Sequence, residues 1–421
     1  MRVAVIAEHY PPTDGGVATS AARIAGGLAR EGAMVQLLTF DYSRPLTDDD
    51  YVLDSIGVDG VNISRVGPFF LKHPFLRDNT LSEKTRAILR RRAFNQIVSR
   101  LNGQVDIILS LYVLQAGFIA QLVANEIGVP CVAGVRGNDI GLNIFHTERF
   151  AVTQWVIAQA QRIVCVNDHL KSRLLVAFPD ARAKTQTIAN GVAVQKTDDR
   201  NQRAAALAKI RSLTRWTSTD TIVVFIGRLR EKKGVVCLLE ALSRLDPELG
   251  IRLLVVGPSL GMMERKLCGQ LWDDLERSGT LYCTGNVPRE EVPGLAIAAS
   301  VVVMPSLDDG LANGLLEGMA LGLCPLVSDI FSDVISNGVN GRVVRRGNST
   351  ELSDALRALH DDAALVARLG KAAASHALSD YSPIAEARKY MALLEAVSRR
   401  PRVDHFRSGE FGSFAVHGPA A

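Results

Sequence analysis

Apolar and polar positions change period repeatedly along the chain. Short runs rich in Val, Ile and Leu alternate with longer stretches of helical period. In the first half the short runs predict strands at Val3–Ala7, Val35–Phe40, Val61–Val66, Asp106–Leu111, Cys131–Val135 and Ile163–Val166. Between them, Val17–Arg30, Leu81–Ser99 and Leu114–Ile127 predict helices. Apolar strands separated by helices indicate a parallel sheet covered on both faces. The pattern pauses after Asn190-Gly191, where Gln195–Arg203 is polar and charged and suits a linker. It restarts with strands at Thr221–Gly227, Ile251–Gly257, Leu281–Gly285, Val301–Pro305 and Pro325–Ser328. Helices are predicted at Gly234–Leu245, Glu290–Ala299 and Asn313–Leu321, and a last one at Pro383–Arg399.

The pattern therefore predicts an α/β protein of two doubly wound domains, 1–194 and 195–382, then a helix at 383–399. The tail, 400–421, is polar and Gly-containing without periodicity and is expected to be disordered. Ligands of doubly wound sheets bind beyond the carboxyl ends of the strands. Two such sheets facing each other create an interdomain cleft.

Composition adds boundaries to that picture. A chain of 421 residues with 47% hydrophobic and 22% charged residues has enough apolar material for two cores. A net charge of +4 suits anionic ligands but is too weak to indicate nucleic acid. Cys131, Cys165, Cys237, Cys268, Cys283 and Cys324 show no C-x-x-C spacing and read as small core residues of a reducing compartment. No apolar run reaches membrane-spanning length, and MRVAVIAEHYPP lacks a signal-peptide pattern. The expected location is the cytoplasm.

Three segments carry candidate chemistry. Gly15-Gly16 precede the first long helix, where paired glycines let the backbone approach a ligand and free N–H groups attract anions. A plain tight turn explains them equally well. In FIGRLREKKG, Arg228 and Lys233 follow a strand end and stand before a helix, a placement that suits a diphosphate. Arg230, Glu231 and Lys232 read as solvated. In MPSLDDGLANGLLEGMALG a polar loop leads from a strand into a helix near Asn313. Asp309 in the loop and Glu317 in the helix are eight residues apart and can border one ligand through its hydroxyls. Glu317 has apolar neighbours in Leu315, Leu316, Met319 and Ala320, so its charge needs a partner, and a ligand is the expected one.

Taken in order, YPPTDGG, TIANGV, GRLREKKG, LYCTGNVPREEVPGLAIAASVVVMPS, the Asp309-to-Glu317 segment and NGVNGRVV resemble the retaining glycosyltransferases of the family 4, glycogen-synthase-like group. That resemblance runs from Met1 to about Arg399. It implies the GT-B fold of two facing Rossmann-like domains, with the last helix crossing back onto the first domain. It also implies that Arg228 and Lys233 hold the donor diphosphate and Glu317 the ribose. Asp309 would meet the donor sugar. Gly310, Leu311, Ala312 and Asn313 would line sugar and phosphates, Asn286 and Val287 the base. Gly15-Gly16 would close over the donor. Asp309 stands where the family has glutamate, and Arg136-Gly137 where it often has His-Gly. Arg136 would then meet an anionic sugar or acceptor, or else simply pair with Asp139.

The activity so implied is transfer of a hexose-type sugar from a nucleoside diphosphate sugar, a co-substrate, with no other cofactor and no metal. The acceptor stays open among a glycan, a lipid-linked molecule and a small molecule. A sugar-nucleotide epimerase on the same fold and a non-catalytic homologue are the alternatives. Asp48-Asp49-Asp50 matches the Asp-x-Asp metal pattern of another class but reads as a solvated acidic loop. Residues 66–100 join a Phe-rich segment to a helix bearing Lys84, Arg86, Arg90, Arg91, Arg92 and Arg100. Peripheral membrane contact is one reading, and a solvated basic face the preferred one.

Overall fold

The computed structural model describes residues 1–13, 16–40, 51–67, 83–192 and 199–399. The Gly15, Asp48-Asp49-Asp50 and 400–421 readings lie outside these residues, as do residues 68–82 of the basic Phe-rich stretch.

The first half contributes strands β1 (Arg2–Ile6), β2 (Met34–Phe40), β3 (Tyr51–Ile56), β4 (Asn62–Gly67), β5 (Ile107–Ser110), β6 (Cys131–Val135), β7 (Arg162–Cys165) and β8 (Thr185–Thr187). Its helices are α1 (Gly16–Arg30), α2 (Glu83–Leu101), α3 (Gln115–Ile127), α4 (Asn138–Gly141), α5 (Thr147–Gln159) and α6 (Asp168–Ala177). The eight strands form one sheet in the order β3-β4-β2-β1-β5-β6-β7-β8, parallel except for the β3–β4 pair at the edge. The central strands β5 and β6 are buried along their whole length. That is why their sequences read as uninterrupted apolar runs.

The second half contributes β9 (Thr221–Ile226), β10 (Ile251–Val256), β11 (Leu281–Cys283), β12 (Val301–Met304), β13 (Cys324–Ser328) and β14 (Arg342–Val344). Its helices are α7 (Asp199–Leu213), α8 (Val235–Ser243), α9 (Met262–Arg277), α10 (Val292–Ala296), α11 (Asn313–Ala320), α12 (Ser349–Asp361), α13 (Ala363–Asp380) and α14 (Pro383–Ser398). The sheet is fully parallel, in the order β11-β10-β9-β12-β13-β14. Asp199–Arg203, assigned to a linker from their polarity, form the opening turns of α7. An exposed helix face is as polar as a linker, so composition could not separate the two.

Strand order decides where ligands can go. In the first sheet the order reverses at β1, flanked by β2 and β5, and in the second at β9, flanked by β10 and β12. Loops leaving the two strands at a reversal diverge to opposite faces and leave a crevice. In the second sheet these are the loops after β9 and β12, which carry Arg228, Lys233 and Asp309.

The last helices are set by local chemistry. Ser382 caps α14 by accepting from the Ala385 amide at 3.1 Å, with Pro383 in the first turn. Asp362 caps α13 through the Leu365 amide at 2.8 Å. α14 packs Tyr390, Leu393, Leu394 and Val397 into the core shared with β1 and α1 of the first domain. A fork–fork ion pair locks the contact: Arg23 of α1 meets Glu386 of α14 at 2.6 and 3.1 Å. The two side chains are only 11% and 2% exposed, so neither charge has water to fall back on. Glu386→Ala is expected to cost about 3 kcal/mol in urea unfolding, because it strands Arg23. An Arg23→Met/Glu386→Leu double variant is expected to recover most of that loss.

Candidate active site

The loops after β9 and β12 are tied by backbone before any side chain acts. The Leu307 and Asp308 amides donate to the Lys232 carbonyl at 2.8 and 3.0 Å. Gly234 sits at φ 73°, and a Cβ there would overlap the Pro305 carbonyl oxygen. Only glycine lets the loop turn into α8 at that distance.

This turn brings Lys233 onto Asp309, Nζ to Oδ2 at 2.9 Å, with side chains 19% and 12% exposed. Lys232, read from sequence as solvated, stands 3.7 Å from Asp309 Oδ1. It also donates to Asn138 Oδ1 of the first domain at 3.1 Å. Asp309 accepts further from the Gly310 amide at 3.0 Å. The carboxylate expected to reach a sugar is thus bracketed by two lysines. Arg228 is exposed and makes no hydrogen bond or ion pair to a described residue. Gly310, Leu311 and Ala312 are buried and lead into α11, with Asn313 half-buried at its first position.

Glu317 lies on α11 and its partner belongs to this chain. Arg289, in the turn before α10, donates from Nη2 to Glu317 Oε1 at 2.9 Å. The same guanidinium donates from Nη1 to Thr19 Oγ1 of α1 at 2.9 Å, across the cleft. Burial pushes the Glu317 carboxyl above the usual carboxylate range, and Arg289 and Arg23 pull it back down. The partner this charge needs, expected to be a ligand, is thus present within the chain. Arg289 escaped sequence reading because it sits in the polar run PREE, which looks solvated. Nearby, Asn286 is exposed and Val287 packs on the second-domain core.

From the first domain, the loop after β6 meets these loops directly. The Arg136 side chain does not make the expected pair with Asp139. Its guanidinium donates to Asn190 Oδ1 at 2.8 Å and to the Tyr390 hydroxyl at 3.3 Å. The fully buried Asp139 takes the Arg136 backbone amide at 2.7 Å instead, with those of Val113 and Gly137 at 3.0 and 3.3 Å. Burial pushes the Asp139 carboxyl up to about 6 against those three donors. A Cβ on Gly310 would come within 2.5 Å of the Arg136 carbonyl, so backbone touches backbone here. Gly16, exposed at the start of α1, faces Asn313, with 3.9 Å between an added Cβ and Nδ2. Further out, Arg173 pairs with Asp308, and the Asp168 amide donates to Asp333 Oδ2 at 2.9 Å.

Other surfaces offer less. A groove of about 870 Å³ on the first domain is lined by Arg2, Asp54, Asp59 and Arg100 among others. Arg2 pairs with Asp106 and Arg100 with Asp54, so neither is free for a ligand. α2 buries Ala93, Ile97 and Leu101, and no described helix is long and apolar enough to cross a membrane. The described residues do not show membrane contact by 66–100.

Two doubly wound domains that meet strand end to strand end define the GT-B class of glycosyltransferases. A family model for glycosyl transferases group 1 matches residues 208–376, and one for glycosyltransferase family 4 matches 14–196. The chain belongs to the family 4-like glycosyltransferases of the GT-B fold. Among curated relatives it is 27% identical over 324 residues to a D-inositol 3-phosphate glycosyltransferase of Streptomyces avermitilis, covering 72% of this chain and 68% of that one. Sucrose-phosphate synthase of Thermosynechococcus elongatus superposes with a TM-score of 0.74 at 16% identity, over 94% of this chain and 98% of its own. HepE of Anabaena, solved with UDP and glucose, gives 0.71 at 17% identity, over 94% and 100%.

Gly234→Ala is expected to destabilise the chain by about 2 kcal/mol or more in thermal or urea unfolding. Positive φ and the Pro305 carbonyl both oppose a side chain there. The neighbouring exposed substitution Arg230→Ala is expected to stay within about 0.5 kcal/mol of the parent.

Proposed function

We propose that this glycosyltransferase moves a hexose-type sugar from a nucleoside diphosphate sugar to an acceptor with retention of configuration and without a metal ion. The observation that carries the reading is the meeting of Lys233, Lys232 and Asp309 at the reversal of strand order, beside the exposed Arg228. Three cations against one carboxylate leave a net positive charge where a diphosphate would lie. Glu317, in the helix that follows Asp309, would take ribose hydroxyls.

Cleavage of a glycosyl–diphosphate bond builds negative charge on the leaving phosphate. Arg228, Lys233 and the amides opening α11 would stabilise that charge in a cleft partly closed to water. These cations would supply what a divalent ion supplies in other transferases. Asp309 is the carboxylate that this reading assigns to the sugar, but it is committed to two lysines, and such pairing weakens a nucleophile. We therefore favour attack by the acceptor on the same face as the departing phosphate, which takes the acceptor's proton.

The acceptor belongs to the first domain, whose loops vary on a common fold. A glycan, a lipid-linked molecule and a small molecule all remain within the proposal. The relative named for D-inositol 3-phosphate supports the small-molecule class. We also propose a cytoplasmic location, supported by six cysteines that are all free. For residues 66–100 a solvated basic face stays the preferred reading, and peripheral contact with the inner face of a membrane the alternative.

A thermal-shift panel of nucleoside diphosphate sugars tests the donor. One of them, at about 100 times its Kd, is expected to stabilise the protein by about 2.7 kcal/mol. If no nucleotide sugar shifts the melting temperature, the donor reading is wrong. With the donor in hand, Lys233→Ala is expected to lower transfer about 100–1,000-fold. Release of nucleoside diphosphate only when acceptor is present separates transfer from epimerisation.

A further inference from the structure

Arg289 holds one guanidinium between two domains. Nη2 is on Glu317 Oε1 and Nη1 is on Thr19 Oγ1, each at 2.9 Å. Glu317 Oε2 has no hydrogen bond to a described residue, so one oxygen of the carboxylate is held and the other is open. The guanidinium is planar, and its two bonds leave in fixed directions. A shift of α1 relative to α11 therefore moves Arg289 off one partner or the other.

We infer that Arg289 is a positioning residue that couples the grip of Glu317 on the donor's ribose to closure of the two domains. This rests on the donor reading above and adds to it a residue and a coupling. Arg289 holds Glu317 by Oε1 and leaves Oε2 for the donor. It also favours the ionised form of this half-buried carboxyl, in which both oxygens can only accept from ribose hydroxyls. Thr19 reports the position of α1. When the first domain swings away, Arg289 loses one anchor and Glu317 loses its orientation.

The sign of the pH effect follows from the charges around Glu317. Burial raises its pKa, while Arg289 from the turn before α10 and Arg23 from α1 lower it. Arg23 is already engaged with Glu386. Without Arg289 the carboxyl takes a proton at higher pH, and nucleotide binding is lost earlier as pH falls.

The test is calorimetric binding of UDP, ADP and GDP across the acidic range to the parent and to Arg289→Ala, Arg289→Lys and Thr19→Val. For the nucleotide that binds the parent, Arg289→Ala is expected to weaken affinity about 10-fold near neutrality. It is also expected to move the midpoint of acid loss upward. Arg289→Lys is expected to restore the midpoint, since the cation returns, but not the full affinity, since lysine lacks the fork. Thr19→Val is expected to weaken binding and leave the midpoint alone. Parent-like affinity in Arg289→Ala overturns the inference, as does a weaker affinity with an unmoved midpoint. A parent-like Thr19→Val overturns the coupling to closure. If none of the three nucleotides binds the parent, the donor reading falls and takes this inference with it. If the parent binds, a failure belongs to Arg289 alone.

Discussion

Asn190 accepts from the Arg136 guanidinium and donates to the Leu311 carbonyl and to Asn313 Oδ1, both at 3.2 Å. One amide side chain thus touches the loop after β6 and the start of α11, in a place 6% exposed to solvent. An unmatched amide there would cost roughly what a lost hydrogen bond costs, so both domains must keep their loops at this spacing. The contact of Gly310 with the Arg136 carbonyl depends on the same spacing. The cleft is the consequence: two sheets end on one another, and Asn190 with its neighbours sets how far apart.

Within that cleft the charges are matched by the protein itself. Lys233 and Lys232 bracket Asp309, and Arg289 holds Glu317. Half-buried ions need partners, and leaving one unpaired is costly. A ligand that enters must exchange these contacts for its own, so its net binding energy is a difference and not a sum. Binding then discriminates by geometry as well as charge, because only a ligand with anions and hydroxyls at these separations replaces every contact. The exposed Arg228 stands outside this arrangement and is free to meet a diphosphate without giving up a partner.

Much of the fold was legible in the apolar periodicity. β6 matches its predicted span, and most other strands differ by a residue at one or both ends. The strands that escaped are β3, β8 and β14, a sheet edge or a segment of three residues whose side chains are partly polar, as in Tyr51–Ile56 and Thr185–Thr187. Edge strands face solvent on more sides and carry no continuous apolar run. The family resemblance and the two-domain α/β class were equally readable, because ordered motifs survive where overall identity is low.

What the sequence determined by itself was local: which segments are strand or helix, which loops leave strand ends, and that such loops carry Arg228, Lys233 and Asp309 while the helix after one of them carries Glu317. Those properties depend on neighbours within a few residues, and the chain displays them directly. Only the tertiary structure decided the partners. Arg289 reaches Glu317 from 28 positions away and Thr19 from 270. Arg136 turns from Asp139 to Asn190 and Tyr390, 54 and 254 positions distant. Sequence spacing carries no information about such pairs, because they are set by how two domains pack. A buried charge guarantees that a partner exists, and only the packing says which one.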